Sequence, residues 1–329
     1  MLDREHVLGF LGKVCRRAAV LGALGIFASA LFVPTAAASE ILTRNAGNIR
    51  LVVNEKFAVV HYTKAGKNHH TLVWGAVNAR HPTQSIKQVA FKKDYSGGWG
   101  AFGRPVWKTM KNRCRPYDGP RLPALVAACK APDGSYWALQ SWRRMLPNLG
   151  MKPWKASQKA RELHISHWTG ALPELDIYVD WVYSGRYHHL FGTYTYKGVP
   201  VHGFSATTSG VPLDSYGRNV YVDTYNSAYG PGWKRENSFL AHRPRGNFCY
   251  GFYARERYAG YPTGPRRPEG NGQAYRGRAM GPGVTPVVAW SGRGLPDYNP
   301  DNPDHVSHEL AMRALEDQIH GSDERCTAR

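Results

Sequence analysis

The chain has 329 residues, a formal charge of +19, and 42% hydrophobic against 20% charged residues. That length accommodates one large domain or two smaller ones, and the basic balance favours acidic partners. P-loop, His-Glu-x-x-His and Cys-x-x-Cys patterns are all missing, which argues against P-loop nucleotide chemistry, a zinc-protease helix and a thiolate metal or redox motif.

Arg4, Lys13, Arg16 and Arg17 precede an apolar run from Ala18 to Val33, and Ala36-x-Ala38 then fits a signal-peptidase site. Residues 1–38 therefore read as a signal peptide, with an uncleaved anchor as the alternative. Arg16-Arg17 hints at twin-arginine export, and Cys15 stands before the apolar run, away from a lipidation position. Removing the leader's four basic and two acidic residues leaves residues 39–329 with a formal charge of +17. No other long apolar run follows, so no membrane span is expected after cleavage. The expected location is outside the cytoplasm, secreted or held at the cell envelope. Cys114, Cys129, Cys249 and Cys326 remain, an even number that suggests two disulfides in an exported chain. The favoured pairing is Cys114–Cys129, closing a local loop, and Cys249–Cys326, tying the tail to a late strand.

Along the chain, strand-like runs are expected at Ile49–Val53, Phe57–Tyr62, Thr71–Val77 and Gln88–Phe91. Between Tyr95 and Gly103 glycines alternate with aromatics, as they do where rings pack over flat backbone and also in sugar-binding loops. The Ala-rich Leu122–Cys129 suits a short helix, Ser135–Trp142 a strand, and Trp154–Glu162 another helix. A meander follows with strands at Leu163–Trp168, Glu174–Tyr183, His188–Tyr196, Val199–Ser205 and Asn219–Asn226, then Phe248–Ala254. Lys197-Gly198 reads as a tight hairpin turn. Eleven of the 24 residues in Gly260–Gly283 are Gly or Pro, which predicts a long irregular loop carrying Arg266, Arg267, Arg276 and Arg278. The C-terminal helix has Asn302 as cap, Pro303 at its first position and Gly321 after its end, with Val306, Leu310 and Ile319 as its apolar side. Strand signals dominate and no βαβ alternation appears. The fold expected is mainly β: a single domain over 39–329 forming an antiparallel β-sandwich or barrel, with a few short peripheral helices and a C-terminal helix.

The sharpest alternation is Pro173–Val182, with Leu175, Ile177, Val179 and Trp181 on one face and Glu174, Asp176, Tyr178 and Asp180 on the other. Glu174-Leu-Asp176-Ile resembles the opening of the Glu-x-Asp-x-Glu signature of the laminarinase-like, jelly-roll glycoside hydrolases. The resemblance covers about four residues. It implies Glu174 as nucleophile, while Tyr178 stands where that family has its acid/base glutamate. Glu174 and Asp176 lie ~6–7 Å apart along a strand, near the ~5–5.5 Å that a retaining carboxylate pair needs. Glu174, Asp176 and Asp180 are therefore the candidate catalytic residues, to be weighed against a solvated acidic face.

His164 with His167, and His188 with His189, diverge across their strands, while His305 and His308 can share one side of the last helix. No metal site and no cofactor are expected from these spacings, although a site assembled from distant residues, such as His189 with Asp223, stays open. Gly203-Phe-Ser205 lacks the glycine that would complete a nucleophile elbow. Aromatics carry more: Tyr178, Tyr194, Tyr196, Tyr221, Tyr225 and Trp233, with Asp223, are the candidate ligand-binding residues. Rings beside carboxylates offer a sugar face an apolar platform and orienting hydrogen bonds. The functional expectation is a basic, exported protein that binds a cell-wall or extracellular polymer, with an anionic polysaccharide foremost. The alternatives are a carbohydrate-active hydrolase using the 174–180 strand, and a polyanion binder that holds nucleic acid or lipid headgroups by charge without specific nucleic-acid recognition.

Overall fold

The computed structural model describes residues 39–75, 77–80, 89–143, 160–183, 187–201, 205–206, 212–213, 221–227, 230–235, 238–242, 247–252 and 273–321. Chain order begins with strands β1 (Glu40–Arg44), β2 (Gly47–Asn54), β3 (Phe57–Lys64), β4 (Lys67–Gly75) and β5 (Phe91–Asp94). Two single-turn helices, α1 (Trp99–Phe102) and α2 (Val106–Thr109), precede β6 (Arg115–Pro116), β7 (Leu125–Lys130), β8 (Tyr136–Arg143) and β9 (Arg161–Trp168). Then come β10 (Pro173–Tyr183), β11 (Tyr187–Tyr196), β12 (Val199–Pro200), β13 (Ser205–Ala206), β14 (Pro212–Leu213) and β15 (Tyr221–Ser227). The last elements are β16 (Gly230–Arg235), β17 (Ser238–His242), β18 (Asn247–Phe252), β19 (Ala274–Met280), β20 (Val287–Arg293) and helix α3 (Pro303–His320).

The fold is mainly β and antiparallel, with a C-terminal helix. Two sheets make the first half, in orders β1-β9-β8-β7-β6 and β2-β3-β4-β5. Val53, Val60, Val73, Trp137, Leu139 and Ile165 from these two sheets share one buried cluster, so the sheets lie face to face. A second pair follows, β10-β11-β18-β17 and β16-β15-β19-β20. Leu175, Ile177, Leu190, Tyr194, Val222 and Tyr275 form its core. Gly277 of β19 faces Ile177 so closely that a Cβ there would stand 2.3 Å from Ile177 Cδ1, and glycine is what lets these two sheets approach.

The segment 281–287 is buried throughout and joins the halves. Gln140 of β8 donates from Nε2 to Val287 O at 3.0 Å and accepts from Val287 N at 3.0 Å. His167 N donates to Val284 O at 2.9 Å and Ser39 N to Thr285 O at 3.1 Å. These bonds hold the ends of β8 and β9 beside β19 and β20, an arrangement that builds the site described below.

Several local expectations meet their reasons here. Lys197 and Gly198 both have positive φ, 52° and 71°, the twist a two-residue hairpin turn requires. Asn302 caps α3 by accepting from Asp304 N at 2.9 Å, with Pro303 at the first turn. Cys114 and Cys129 form the expected local disulfide. The Gly/aromatic run after β5 is organised by Asp94, whose carboxylate accepts from Ser96 N, Gly98 N and Ala101 N at 2.8, 3.1 and 2.9 Å. Those donors hold the Asp94 carboxyl below its usual range despite burial.

Other expectations are corrected. Leu122–Cys129 is not helical: Leu125–Lys130 is strand β7, paired with β6 and β8, because cross-strand partners outweigh alanine's weak helical preference. The irregular loop does not run through 260–283: Ala274–Met280 is strand β19, with Tyr275, Gly277 and Ala279 inward. The helical face of α3 is turned otherwise than its apolar residues suggest. Leu310 is 61% exposed, while Glu309 and Glu316, one heptad apart, are buried. The helix expected from Trp154 falls largely outside the described residues, and its end, Arg161–Glu162, opens strand β9. Residues 1–38 and the Cys249–Cys326 pairing also lie outside what is described.

Candidate functional site

The outer face of the β16-β15-β19-β20 sheet is where charge collects. Because β19 turns Tyr275, Gly277 and Ala279 inward, Arg276 and Arg278 project together on the other side. Asp223 of β15 lies opposite Arg276 in the ladder. Its Oδ2 accepts from Arg276 Nε and from a terminal nitrogen of Arg278, each at 3.0 Å. The carboxylate is fully buried beneath the two guanidiniums and fixes both. On the next strand, the Trp233 ring lies under Arg276, with Cζ 4.1 Å from the ring centroid.

The other wall comes from the first half of the chain. Arg143 and Arg161 are cross-strand partners at the ends of β8 and β9, and Arg161 donates to Ser141 O at 3.1 Å. With Arg121 they face Arg276 and Arg278 across a cleft of about 810 Å³. Trp142, Trp233 and Trp290 line the same space. Among the described residues no carboxylate lines it, and five guanidiniums and three indoles share it. Chemically such a lining can hold a flat, anionic group: guanidinium forks match carboxylate, sulfate or phosphate, and indoles match the apolar face of a ring.

Of the candidate ligand residues, the cleft brings together Asp223 and Trp233, with Tyr225 exposed beside Trp233 at a ring distance of 5.2 Å. Tyr221 begins β15, and its side chain lies outside the described set. Tyr194 and Tyr196 are corrected from platform to core. Each is 1% exposed, packed among Leu175, Leu190 and Val222, because the inner faces of two sheets close over them. Tyr178 is half-buried and stacked on Phe191 at 5.2 Å. Reasoning from the sequence missed Arg121, Arg143, Arg161, Trp142 and Trp290. Their only signal there was the charge balance and the wealth of tryptophan, neither of which says which residues meet.

The candidate catalytic acids part company. Glu174 and Asp176 are exposed on β10, opposite Thr195 and Thr193, and stand outside the cleft lining. Asp180, two alternations further on, is fully buried beneath α3. It pairs across the ladder with His189 of β11, and Glu316 of α3 comes down beside them. Ligand-type atoms of these three residues all lie within 4.8 Å of one another. Burial pushes the Asp180 carboxyl up to about 8, with the Trp181 backbone N–H opposing, Glu309 adding and Arg313 opposing. His188, on the opposite face, meets Tyr275 Oη at 2.6 Å, and burial lowers it to about 4. His305 and His308 do share one side of α3, both against the Trp181 ring.

Fold and site thus define an antiparallel β protein with an arginine–tryptophan cleft and a buried acid–histidine cluster. Comparison with known protein families, curated proteins and solved structures gives no match, so the function is read from these groups themselves.

Proposed function

We propose that the protein binds an anionic polysaccharide of the cell envelope or extracellular matrix, in the cleft between the outer face of β19 and the ends of β8 and β9. The observation that carries this reading is the lining: among the described residues, five arginines and three tryptophans with no carboxylate. Arginine supplies two parallel hydrogen bonds to each acidic substituent, and tryptophan stacks on the sugar face. A volume of about 810 Å³ suits a short stretch of a polymer. The protein works outside the cytoplasm, a reading supported by the leader pattern of residues 1–38 and by the Cys114–Cys129 disulfide, a bond that persists in oxidising compartments.

The test is co-sedimentation of the oxidised chain, lacking residues 1–38, with insoluble wall material at low and high salt, with reducing sugar assayed in the supernatant. Pelleting that weakens but survives at high salt, and falls about tenfold in Trp233→Ala and in Arg121→Ala, supports the proposal. Pelleting abolished by salt and competed equally by any polyanion reduces it to charge. Released sugar replaces binding by hydrolysis and makes Glu174 the first residue to substitute. No pelleting under either condition overturns it.

A further inference from the structure

Asp180, His189 and Glu316 belong to three different elements, β10, β11 and α3, and meet where the helix lies on the sheet. Asp180 and His189 are direct cross-strand neighbours, and His189 Nδ1 stands 3.4 Å from Glu316 Oε1. A tetrahedral ion with bonds of about 2.0–2.2 Å sets its ligand atoms roughly 3.3–3.6 Å apart. The His189–Glu316 separation fits that geometry, and an Asp180 oxygen lies within 4.8 Å of both.

The helix offers a second, independent observation. It turns Glu309 and Glu316 toward the sheet and leaves Leu310 in solvent, the reverse of what burial of apolar surface favours. Glu309 is compensated by Arg313 at 2.6 Å. Asp180 is not compensated in the same way: neither carboxylate oxygen meets a hydrogen-bond donor in full geometry, and the residue is 0% exposed. A buried carboxyl in that position either keeps its proton or exchanges it for a cation, and the imidazole and carboxylate beside it complete a cation's ligand set.

We propose that Asp180, His189 and Glu316 bind a divalent first-row metal ion of the zinc class, which fastens the C-terminal helix to the β10–β11 hairpin. Two carboxylates balance the ion's charge, and the donors are one nitrogen and two carboxylates with no thiolate, a set that suits zinc or manganese. Full burial of all three ligands makes the role structural: the ion joins the last helix to the sheet, beside the contacts of His305 and His308 with Trp181. The site is separate from the cleft, none of whose lining residues it uses.

The experiment uses the untagged chain stripped with a chelator, then given zinc, manganese or magnesium. Bound metal is counted after dialysis and the melting temperature recorded. One equivalent of zinc or manganese should be retained and should raise the melting temperature by about 5 °C or more. The shift should vanish in Glu316→Gln and His189→Gln and persist in Glu174→Gln, whose carboxylate is exposed. No retained metal, no shift, or an equal shift in Glu316→Gln would overturn the proposal. Should those variants fail to fold, X-ray absorption on the zinc-loaded wild type decides. One imidazole with oxygen neighbours supports the site, whereas sulfur or several imidazoles rule it out.

Discussion

The two outer faces of the second sheet pair treat charge in opposite ways. On β15 and β19, Arg276 and Arg278 stand at the edge of an open cleft, with the Asp223 carboxylate beneath them. On β10 and β11, Asp180 and His189 occupy equivalent outward positions, but α3 covers them and brings two more carboxylates, Glu309 and Glu316. Both faces come from strands that alternate in the same way around a shared core. What separates them is the cover. An open face leaves part of its charge in water, while a roofed face must satisfy its charges from within.

The largest expected effect falls on the roofed face. Gly192 of β11 lies so near β10 that a Cβ would stand 1.9 Å from Asp176 O, a backbone atom that cannot swing aside. Gly192→Ala should cost about 3 kcal/mol or more, read as the urea midpoint at constant m, and should disturb the Asp180–His189 pairing with it. Loss of less than about 1 kcal/mol would show that the two strands separate easily.

Next in size is Asp223→Ala, which breaks only the open face. Removing a carboxylate that accepts two charged hydrogen bonds should cost roughly 1–3 kcal/mol, tempered because Arg276 can turn to solvent. Polymer binding should fall together with stability, because both arginines lose their anchor. Binding unchanged in the folded variant would detach the arginines from recognition.

A buried polar group in the first sheet pair sharpens the contrast, since it is covered yet left neutral. His167 stacks on Trp137 at 3.7 Å and meets Ser135 Oγ at 2.9 Å. Burial lowers it to about 3, against a smaller upward pull from Asp133. Its folded value lies below the unfolded one near 6.5, so the unfolded chain takes up a proton first as pH falls. The stability it carries is complete above about pH 6.5 and is lost between there and about pH 3, at a slope on the order of 1.4 kcal/mol per pH unit. Chemical unfolding of wild type and His167→Gln across that window should show a shallower slope in the variant. Equal slopes would remove His167 as a source of acid sensitivity.

The smallest effect is expected at Leu310. Being 61% exposed, it should tolerate Leu310→Lys within about 0.5 kcal/mol. Glu316→Lys, one and a half turns along on the covered side, should be markedly destabilising, because it places a cation against the Asp180 and His189 cluster. Comparable melting temperatures for the two variants would mean that α3 does not lie with its acids inward.

The sequence by itself determined the sharply alternating strands and the ends of the last helix, because both depend on neighbours within a few residues. The period-two alternation of β10, the Lys197-Gly198 turn and the Asn302-Pro303 start of α3 are local chemistry. It also set Tyr221, Asp223 and Tyr225 along one strand, while the pairing of Trp233 with Tyr225 came from the β15-β16 ladder. Tertiary structure decided the rest. Leu125–Lys130 became a strand because β6 and β8 were there to pair with it. Tyr194 and Tyr196 became core because a second sheet closed over them. The cleft draws arginines from position 121 to position 278, and the buried cluster joins 180, 189 and 316. Alternation along a strand says which side a residue takes; only the packing of sheets and helix says what waits on that side.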